Sequence, residues 1–403
     1  MLTLYEKAII KETIPLLKKN GVELATHFYD RMLRDHPELK NVFNMGNQGS
    51  GKQQIALAMA ILSYAEHIDE PEILHPSVNK IGHKHRSLNI SPEQYKILGK
   101  YLILSIRELM GQQATQEILS AWEKAYDQLA SMFIEHEKKL YEEVSEVEGG
   151  WKGWRSFVVK RRIDESEDIA SFYLYPEDGG IVADFIPGQY VSIQVYVDEL
   201  ELFQSRQYSL SNAPNGRFYR VSVKKESGTF IIPDGMISSY LYHKAEEGTK
   251  IELTAPAGDF ILLTRKKRPL VFMSGGIGQT PFISMLERLA AAGSKRKIVW
   301  VHACRKPEVH AFKDKVNRLL GQLGQEEQIV FYEEKGFQET GNYYQGRIDY
   351  NSLKEQLIIP TADYYICGPR PFIEKQYLTL KSLGIKAENI YYEEFGPHVL
   401  SLK

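Results

Sequence analysis

The chain has 403 residues, is 43% hydrophobic and carries a formal net charge of −2 at pH 7. That length implies two or three domains, and the near-neutral balance removes any bulk electrostatic case for nucleic acid or an anionic membrane. No apolar run approaches a membrane span, the start Met1-Leu2-Thr3-Leu4-Tyr5-Glu6-Lys7 lacks a signal-peptide pattern, and the two cysteines, Cys304 and Cys367, suit a reduced cytosol and lack metal-ligand spacing.

Residues 1 to about 140 read as helical throughout. One helix carries Leu24, Ala25, Phe28, Tyr29, Met32 and Leu33 and stops at Asp35-His36-Pro37. Pro15 should kink the first helix or mark its start. A second helix carries Leu57, Ile61, Leu62 and Ala65, and a short third carries His85. A long helix starts at Ser91-Pro92-Glu93, with Ser91 as N-cap and Pro92 at the first helical position. The last runs through Ile118, Trp122, Tyr126, Leu129 and Phe133 to Glu137. The charged stretch 142–150, ending in Gly149-Gly150, reads as a linker.

From 157 to about 260 the pattern changes to short strands of period two, such as Val191-Ser192-Ile193-Gln194-Val195 and Tyr219-Arg220-Val221-Ser222-Val223. They predict a small antiparallel barrel or sandwich, crossed by one helix at 236–246. From Pro269, apolar strands such as Leu270-Val271-Phe272-Met273 alternate with helices, which predicts βαβ units and a parallel sheet. The expected order is a helical bundle at 1–140, a β-barrel at 151–262 and a doubly wound α/β domain at 268–403.

Four groups of residues carry chemistry. His85 projects from the apolar face of its helix in Val78-x-x-Ile81-Gly82-x-x-His85. It is either an axial haem ligand or a hydrogen-bonded core histidine. Tyr95 and Glu137 fall on the apolar stripes of their own helices. A buried Glu is costly unless paired, so Glu137 either joins a relay with His85 or snorkels to water from its helix end. Phe43 follows the bend at Pro37, Tyr29 needs a partner for a buried hydroxyl, and Gln53 begins the next apolar helix.

The second group is Arg206-Gln207-Tyr208-Ser209 on a strand. Arg206 offers a planar fork for a pyrophosphate, Tyr208 a ring for an isoalloxazine and Ser209 a hydrogen bond; otherwise this is an ordinary strand with an exposed arginine. Gly235-Met236-Ile237-Ser238-Ser239 then opens a helix whose N–H groups and hydroxyls, Ser238 among them, would hold phosphate. The third is Gly275-Gly276-Ile277-Gly278-Gln279-Thr280-Pro281, between strand and helix: a dinucleotide loop or simply a tight turn. Cys367-Gly368-Pro369 follows another strand. The fourth is the tail Tyr391-Tyr392-Glu393-Glu394-Phe395-Gly396-Pro397, where an aromatic at a strand end would cover a flavin or merely close a sheet.

Taken together these motifs, with His36-Pro37-Glu38-Leu39, Pro187-Gly188-Gln189-Tyr190 and Ala255-Pro256-Ala257-Gly258-Asp259-Phe260, resemble the flavohaemoglobin family, the nitric oxide dioxygenases. The resemblance covers essentially the whole chain. It implies a globin joined to a ferredoxin–NADP⁺ reductase-like module, with haem b, FAD and NADH or NADPH as cofactors. By resemblance His85 is the proximal iron ligand, Tyr95 and Glu137 its relay, and Tyr29 and Gln53 the distal pair, with Phe43 against the haem. Lys84 matches a residue between haem and flavin. Tyr190, Arg206, Gln207, Tyr208, Ser209 and Ser238 match flavin contacts, as do Glu394, Phe395, Gly396 and Pro397. Gly275, Gly276, Ile277, Gly278, Gln279 and Thr280 match the nicotinamide dinucleotide loop, and Glu393 a carboxylate that tunes the flavin. Residues 227–234 depart from the family as an insertion, and Glu394 stands where relatives carry Cys or an apolar residue; that second carboxylate would lower the flavin potential.

The implied activity passes electrons from NAD(P)H to FAD to haem, where bound oxygen oxidises nitric oxide to nitrate. The expected protein is a cytoplasmic monomer acting on O2, nitric oxide and NAD(P)H, with no nucleic acid and no integral membrane association. The alternatives are a haem-based oxygen or redox sensor and a flavin reductase serving a peroxide or another external acceptor.

Overall fold

The structure is a computed structural model, described here for residues 2–49, 51–226, 235–326, 328–334, 336 and 338–395. It divides into two compact units: one holds the chain to Glu146 together with Gln194–Arg206, the other Val147–Ile193 and the chain from Gln207 on.

The first unit is built on six α-helices: α1 (Leu4–Asp35), α2 (Met45–Gly49), α3 (Lys52–Glu66), α4 (His75–Ser87), α5 (Pro92–Met110) and α6 (Gln116–Glu146). Thr3 caps α1 in a capping box with Glu6, so Pro15 lies inside an unbroken element and does not mark its start. Proline removes one backbone donor, and the buried stripe Leu17, Leu24, Phe28 and Met32 downstream supplies the packing that carries the helix on. Ser91 opens α5 as expected, its N–H donating to Gln94 Oε1 at 2.9 Å. The linker expectation is corrected: α6 continues to Glu146, leaving only Val147–Gly150 outside regular structure. The residues of 138–146 are good helix formers, and Leu140 is buried. Helix α1 packs closely on α3, with Gly21 beside the Ala58 methyl.

Gln194–Arg206 also belongs to this unit. Its Gln204 is fully buried; the amide donates to the Lys40 carbonyl at 2.8 Å and accepts from the Met45 N–H at 3.0 Å.

Two sheets form beyond residue 150, in the second unit except where the first runs through Gln194–Arg206. The first is antiparallel and six-stranded, in the order β4-β3-β6-β1-β2-β5. Its strands are β1 (Arg155–Ser166), β2 (Ile169–Pro176), β3 (Tyr190–Val197), β4 (Leu202–Ser209), β5 (Tyr219–Lys224) and β6 (Lys250–Leu253), with α7 (Met236–Lys244) beside them. An antiparallel bridge from Leu210 to Val221 joins the two edge strands and closes the sheet into a barrel. The alternating residues Phe157, Val159, Val191, Ile193, Tyr219 and Val221 fill it.

The second sheet is parallel, in the order β10-β9-β8-β7-β11-β12. It comprises β7 (Leu270–Gly275), β8 (Ile298–Cys304), β9 (Ile329–Tyr332), β10 (Tyr343–Gln345), β11 (Asp363–Gly368) and β12 (Ile390–Glu394). The helices α8 (Thr280–Ala291), α9 (Lys313–Gln322), α10 (Lys354–Leu357) and α11 (Arg370–Ser382) connect them. The chain runs outward from β7 through β8, β9 and β10, then crosses back to β11 on the other side. That reversal opens a crevice past the carboxyl ends of β7 and β11. No described helix is long and apolar enough to cross a membrane.

Candidate functional site

In the helical unit three predicted residues from three helices converge. His85 on α4 places Nδ1 2.8 Å from Glu137 Oε1 on α6 and 2.8 Å from the Tyr95 hydroxyl on α5. The Tyr95 hydroxyl donates to the same carboxylate oxygen at 2.5 Å. Glu137 is only 4% exposed, so it does not snorkel; its charge is met by the His85 N–H and the Tyr95 O–H. Burial, then the Glu137 charge, raises the Tyr95 phenol above its usual range, so it stays a donor. With Nδ1–H given to the carboxylate, the lone pair of His85 lies on Nε2. The Phe133 ring lies 5.6 Å from the imidazole.

Tyr126 steadies this group from outside it. Its hydroxyl donates to the Tyr95 carbonyl at 2.5 Å, and its ring lies where a Gly99 side chain would stand. The motif reading missed Tyr126 because a tyrosine on an apolar stripe looks like plain core. Gln204 was missed too: a glutamine on a period-two strand carries no signal of its partner.

Tyr29 and Phe43 meet edge to face at 5.5 Å. Burial drives the Tyr29 phenol well above its usual range. Gln53 is on α3, and its Oε1 is buried with no partner among the described residues. Lys84 is half-buried on α4.

A single imidazole backed by a carboxylate, with an orphaned amide oxygen in the same unit, fits a haem iron. Among the described residues no cluster of three or more His, Cys, Asp or Glu could hold a metal.

In the barrel, Arg206, Gln207 and Tyr208 are partly buried at the end of β4 and Ser209 is buried. Gln207 donates to Ser192 Oγ at 3.4 Å. Tyr190 pairs with Ala257 through two 2.8 Å backbone bonds. Gly258, at φ 112°, leaves room for the Tyr190 ring, which a side chain there would meet at 2.9 Å. At the start of α7 the Ser238 hydroxyl donates back to the Gly235 carbonyl at 3.0 Å. The buried hydroxyl there without a partner among the described residues belongs to Ser239. The Gly258 cradle and the Ser239 hydroxyl suit a flavin dinucleotide.

At the crevice, Gly275, Gly276, Ile277 and Gly278 lead through a short 3₁₀ turn into α8. A Cβ on Gly278 would stand 2.3 Å from the Cys367 carbonyl oxygen, so this loop and the Cys367-Gly368-Pro369 loop touch backbone to backbone. Two side chains of the motif turn away from the crevice: Gln279 donates to the Ala311 carbonyl at 3.1 Å and Thr280 to the Ile277 carbonyl at 3.1 Å. What the loop offers a ligand is backbone N–H and the start of a helix. Glu393 and Glu394 end β12 in register with Cys367 and Gly368, and both are buried. Phe395 is 45% exposed. Gly396, Pro397 and the 227–234 insertion lie outside the described residues.

Of the two cysteines only Cys367 is fully buried; Cys304, at the end of β8, is half-buried. Cys367 is buried on β11, and burial pushes the Cys304 thiol up to about 12, which makes it unreactive.

Two family models match: a globin over residues 26–133 and an oxidoreductase NAD-binding domain over 272–377. A flavohemoprotein of Bordetella parapertussis is 47% identical over 401 residues, covering 98% of this chain and 99% of that protein. One from Rhizobium meliloti is 44% identical over the full length of both. Among solved structures, the flavohemoglobin of Malassezia yamatoensis with bound FAD and heme superposes with a TM-score of 0.87 at 26% identity, covering 98% of this chain and 100% of that one. The FAD/NAD-binding domain of a nitric oxide dioxygenase from Vibrio cholerae is 37% identical, covering 60% of this chain and 99% of its own, with a TM-score of 0.55. The helical unit, the antiparallel barrel and the parallel sheet thus follow the order of that full-length fold, and the chain belongs to the flavohemoprotein family.

Proposed function

We propose that this chain is a nitric oxide dioxygenase fed by NADH or NADPH, with a haem domain at 1–140, an FAD domain at 151–262 and a nicotinamide domain at 268–403. When bound, FAD accepts a hydride and gives up single electrons, and haem b supplies an iron that binds oxygen and takes those electrons one at a time. Each nitric oxide and dioxygen need one electron to become nitrate, so one hydride serves two turnovers.

The observation that carries the reading is the His85–Glu137–Tyr95 triad. His85 offers Nε2 to the iron. Glu137 holds the Nδ1 proton and makes the imidazole a stronger donor, which favours oxygen chemistry over simple carriage. Tyr29 keeps its proton because it is buried and serves as hydrogen-bond donor on the opposite side, with the Gln53 amide; Phe43 packs beside Tyr29. Arg206 and the start of α7, with Ser238, face the flavin phosphates. Tyr190 and Tyr208 supply rings, Gln207 and Ser209 polar edges. The Gly275–Gly278 backbone receives the dinucleotide, with Gln279 and Thr280 bracing the loop from inside. Glu393, Glu394 and Phe395 complete the flavin side, and Lys84 flanks the haem. The reading includes a cytoplasmic monomer whose partners are small molecules.

The test is nitric oxide consumption in air-saturated buffer with NADH or NADPH, while the visible spectrum is followed. Rapid loss with nitrate formed supports the proposal and names the donor. Flavin bleaching without nitric oxide loss would refute it and favour a reductase with another acceptor. His85→Ala should abolish the ferrous-haem spectrum and leave flavin reduction intact.

A further inference from the structure

A buried charged node joins the barrel to the parallel-sheet domain, and the reading above leaves it without a role. Arg220 on β5 is only 3% exposed. Its Nε donates to Ser211 Oγ at 3.1 Å, and its Nη2 reaches both the Ser211 carbonyl and, at 3.1 Å, Glu287 Oε1. Glu287 is on α8. Its other oxygen accepts the Ala213 N–H at 2.7 Å, and Lys315 on α9 forms an ion pair with it. One carboxylate therefore binds two cations and a backbone amide from three separate elements.

What the node holds is the stretch Ser211-Asn212-Ala213. From the barrel side the Arg220 N–H donates to Asn212 Oδ1 at 2.6 Å, and the Ser211 hydroxyl lies 2.7 Å from Ser222 Oγ. From the α8 side the Ser284 hydroxyl donates to the Asn212 carbonyl at 2.7 Å, one turn before Glu287. This stretch begins two residues beyond Ser209, at the end of the flavin-motif strand. Helix α8 begins at Thr280, where the glycine loop ends. Ser284 and Glu287 lie about 6 and 10 Å along its axis from that start. The helix is a short rigid arm with the dinucleotide loop at one end and this latch along its side.

We infer that Arg220 and Glu287 are positioning residues for hydride transfer, registering the dinucleotide loop on the flavin strand through α8. The inference rests on the proposed flavin and nicotinamide sites. Hydride transfer needs the donor carbon of the nicotinamide and the acceptor nitrogen of the flavin in near-attack contact, and a misplacement of ~1 Å costs on the order of 10²-fold in rate. A carboxylate with three donors tolerates little rocking of the arm. The arginine fork, stacked over Tyr173 and Phe312, fixes its direction. Lysine could not reproduce that geometry.

The experiment is anaerobic stopped-flow reduction of the bound flavin by NADH in the full-length holoprotein. Glu287→Gln and Arg220→Lys should each lower the limiting rate at saturating NADH by about tenfold or more. Flavin content and light-driven reduction by EDTA should stay at wild-type levels, and the long-wavelength charge-transfer absorbance between flavin and nicotinamide should weaken. An Arg220→Met/Glu287→Leu double variant tests for a purely structural role. Apolar replacement of a buried ion pair commonly restores stability, so its melting temperature should recover while the rate does not. Wild-type rates in both single variants, or recovery of rate together with stability in the double variant, would overturn the inference. Should either single variant fail to fold, the other carries the test. If NADH and NADPH both fail to reduce wild-type flavin, it is the donor site itself that is wrong.

Discussion

Replacing Gly99 by alanine should destabilise the helical unit, although alanine is the better helix former. The added methyl would stand 2.5 Å from Tyr126 Cε1 and 2.7 Å from Cδ1. Ordinary carbon contacts are about 3.5 Å, so the ring must retreat by about 1 Å. The Tyr126 hydroxyl donates to the Tyr95 carbonyl at 2.5 Å; a retreat of that size breaks this bond. Overpacking costs about 1–3 kcal/mol and the lost hydrogen bond about 1 kcal/mol, against about 1 kcal/mol gained in helix propensity. The net is a loss of roughly 2 kcal/mol. Urea titration followed by haem Soret absorbance reads this unit alone. In a Tyr126→Ala background the clash disappears, and Gly99→Ala should become stabilising by about 1 kcal/mol. The same sign of effect in both backgrounds would refute the argument. Because Tyr95 loses the hydrogen bond that Tyr126 gives its carbonyl, Gly99→Ala should also shift the iron–histidine stretching frequency of the ferrous protein.

Gly278→Ala puts a methyl 2.3 Å from the Cys367 carbonyl oxygen, where only backbone can move; flavin reduction by NADH should fall by about 10²-fold with the haem spectrum unchanged, and wild-type kinetics would show that the loop does not position the donor. Tyr29→Phe should speed oxygen release, and since burial holds the phenol above its ordinary value of 10.0, release from the wild type should stay flat from neutral pH to that value; a rise on that limb would mean the hydroxyl ionises. His310 is buried beside Tyr332, and burial, then the Lys313 charge, pulls its pKa from 6.5 down to about 4. The unfolded chain therefore binds the proton first, so stability falls as pH drops from 6.5 towards 4, by on the order of 3 kcal/mol. His310→Gln should flatten this acid limb in urea midpoints read by flavin fluorescence; an unchanged slope would assign the loss to other groups.

Element type and order were legible because each rests on a local period: 3.6 through α3, α5 and α6, two through β3 and β5, and strand–glycine–helix at β7. Errors fell at edges. Residues 142–150 looked like a linker because they are charged, yet charge on one side of a helix only marks the face towards water, and α6 continues through the first five of them to Glu146. Pro15 could kink the first helix or start it, because one missing donor is visible in sequence; the packing that carries α1 through it and rules out the start is not.

The site shows the same division between what a chain says locally and what only packing decides. His85, Tyr95 and Glu137 could each be picked out as a residue at odds with its apolar stripe. That Glu137 turns inward is a matter of α4, α5 and α6 meeting, since a carboxylate near a helix end can equally reach water. Once His85 and Tyr95 both face it, the charge is worth burying. In the glycine loop, too, position in a motif and side-chain role separate. Gln279 and Thr280 belong to the dinucleotide motif by position, but their side chains brace the loop from within, and what reaches the crevice carries no side-chain identity at all. Arg220 is the converse case. Alternation along β5 would place it opposite Val221 and Tyr219 on an outer face, where an arginine normally meets solvent. Here that face is covered by α8 and α9, and the arginine survives burial because Glu287 arrives with them. A residue of this kind becomes visible only when a partner some 67 positions away is brought to it, so such long-range polar nodes are where structure adds most to what sequence tells.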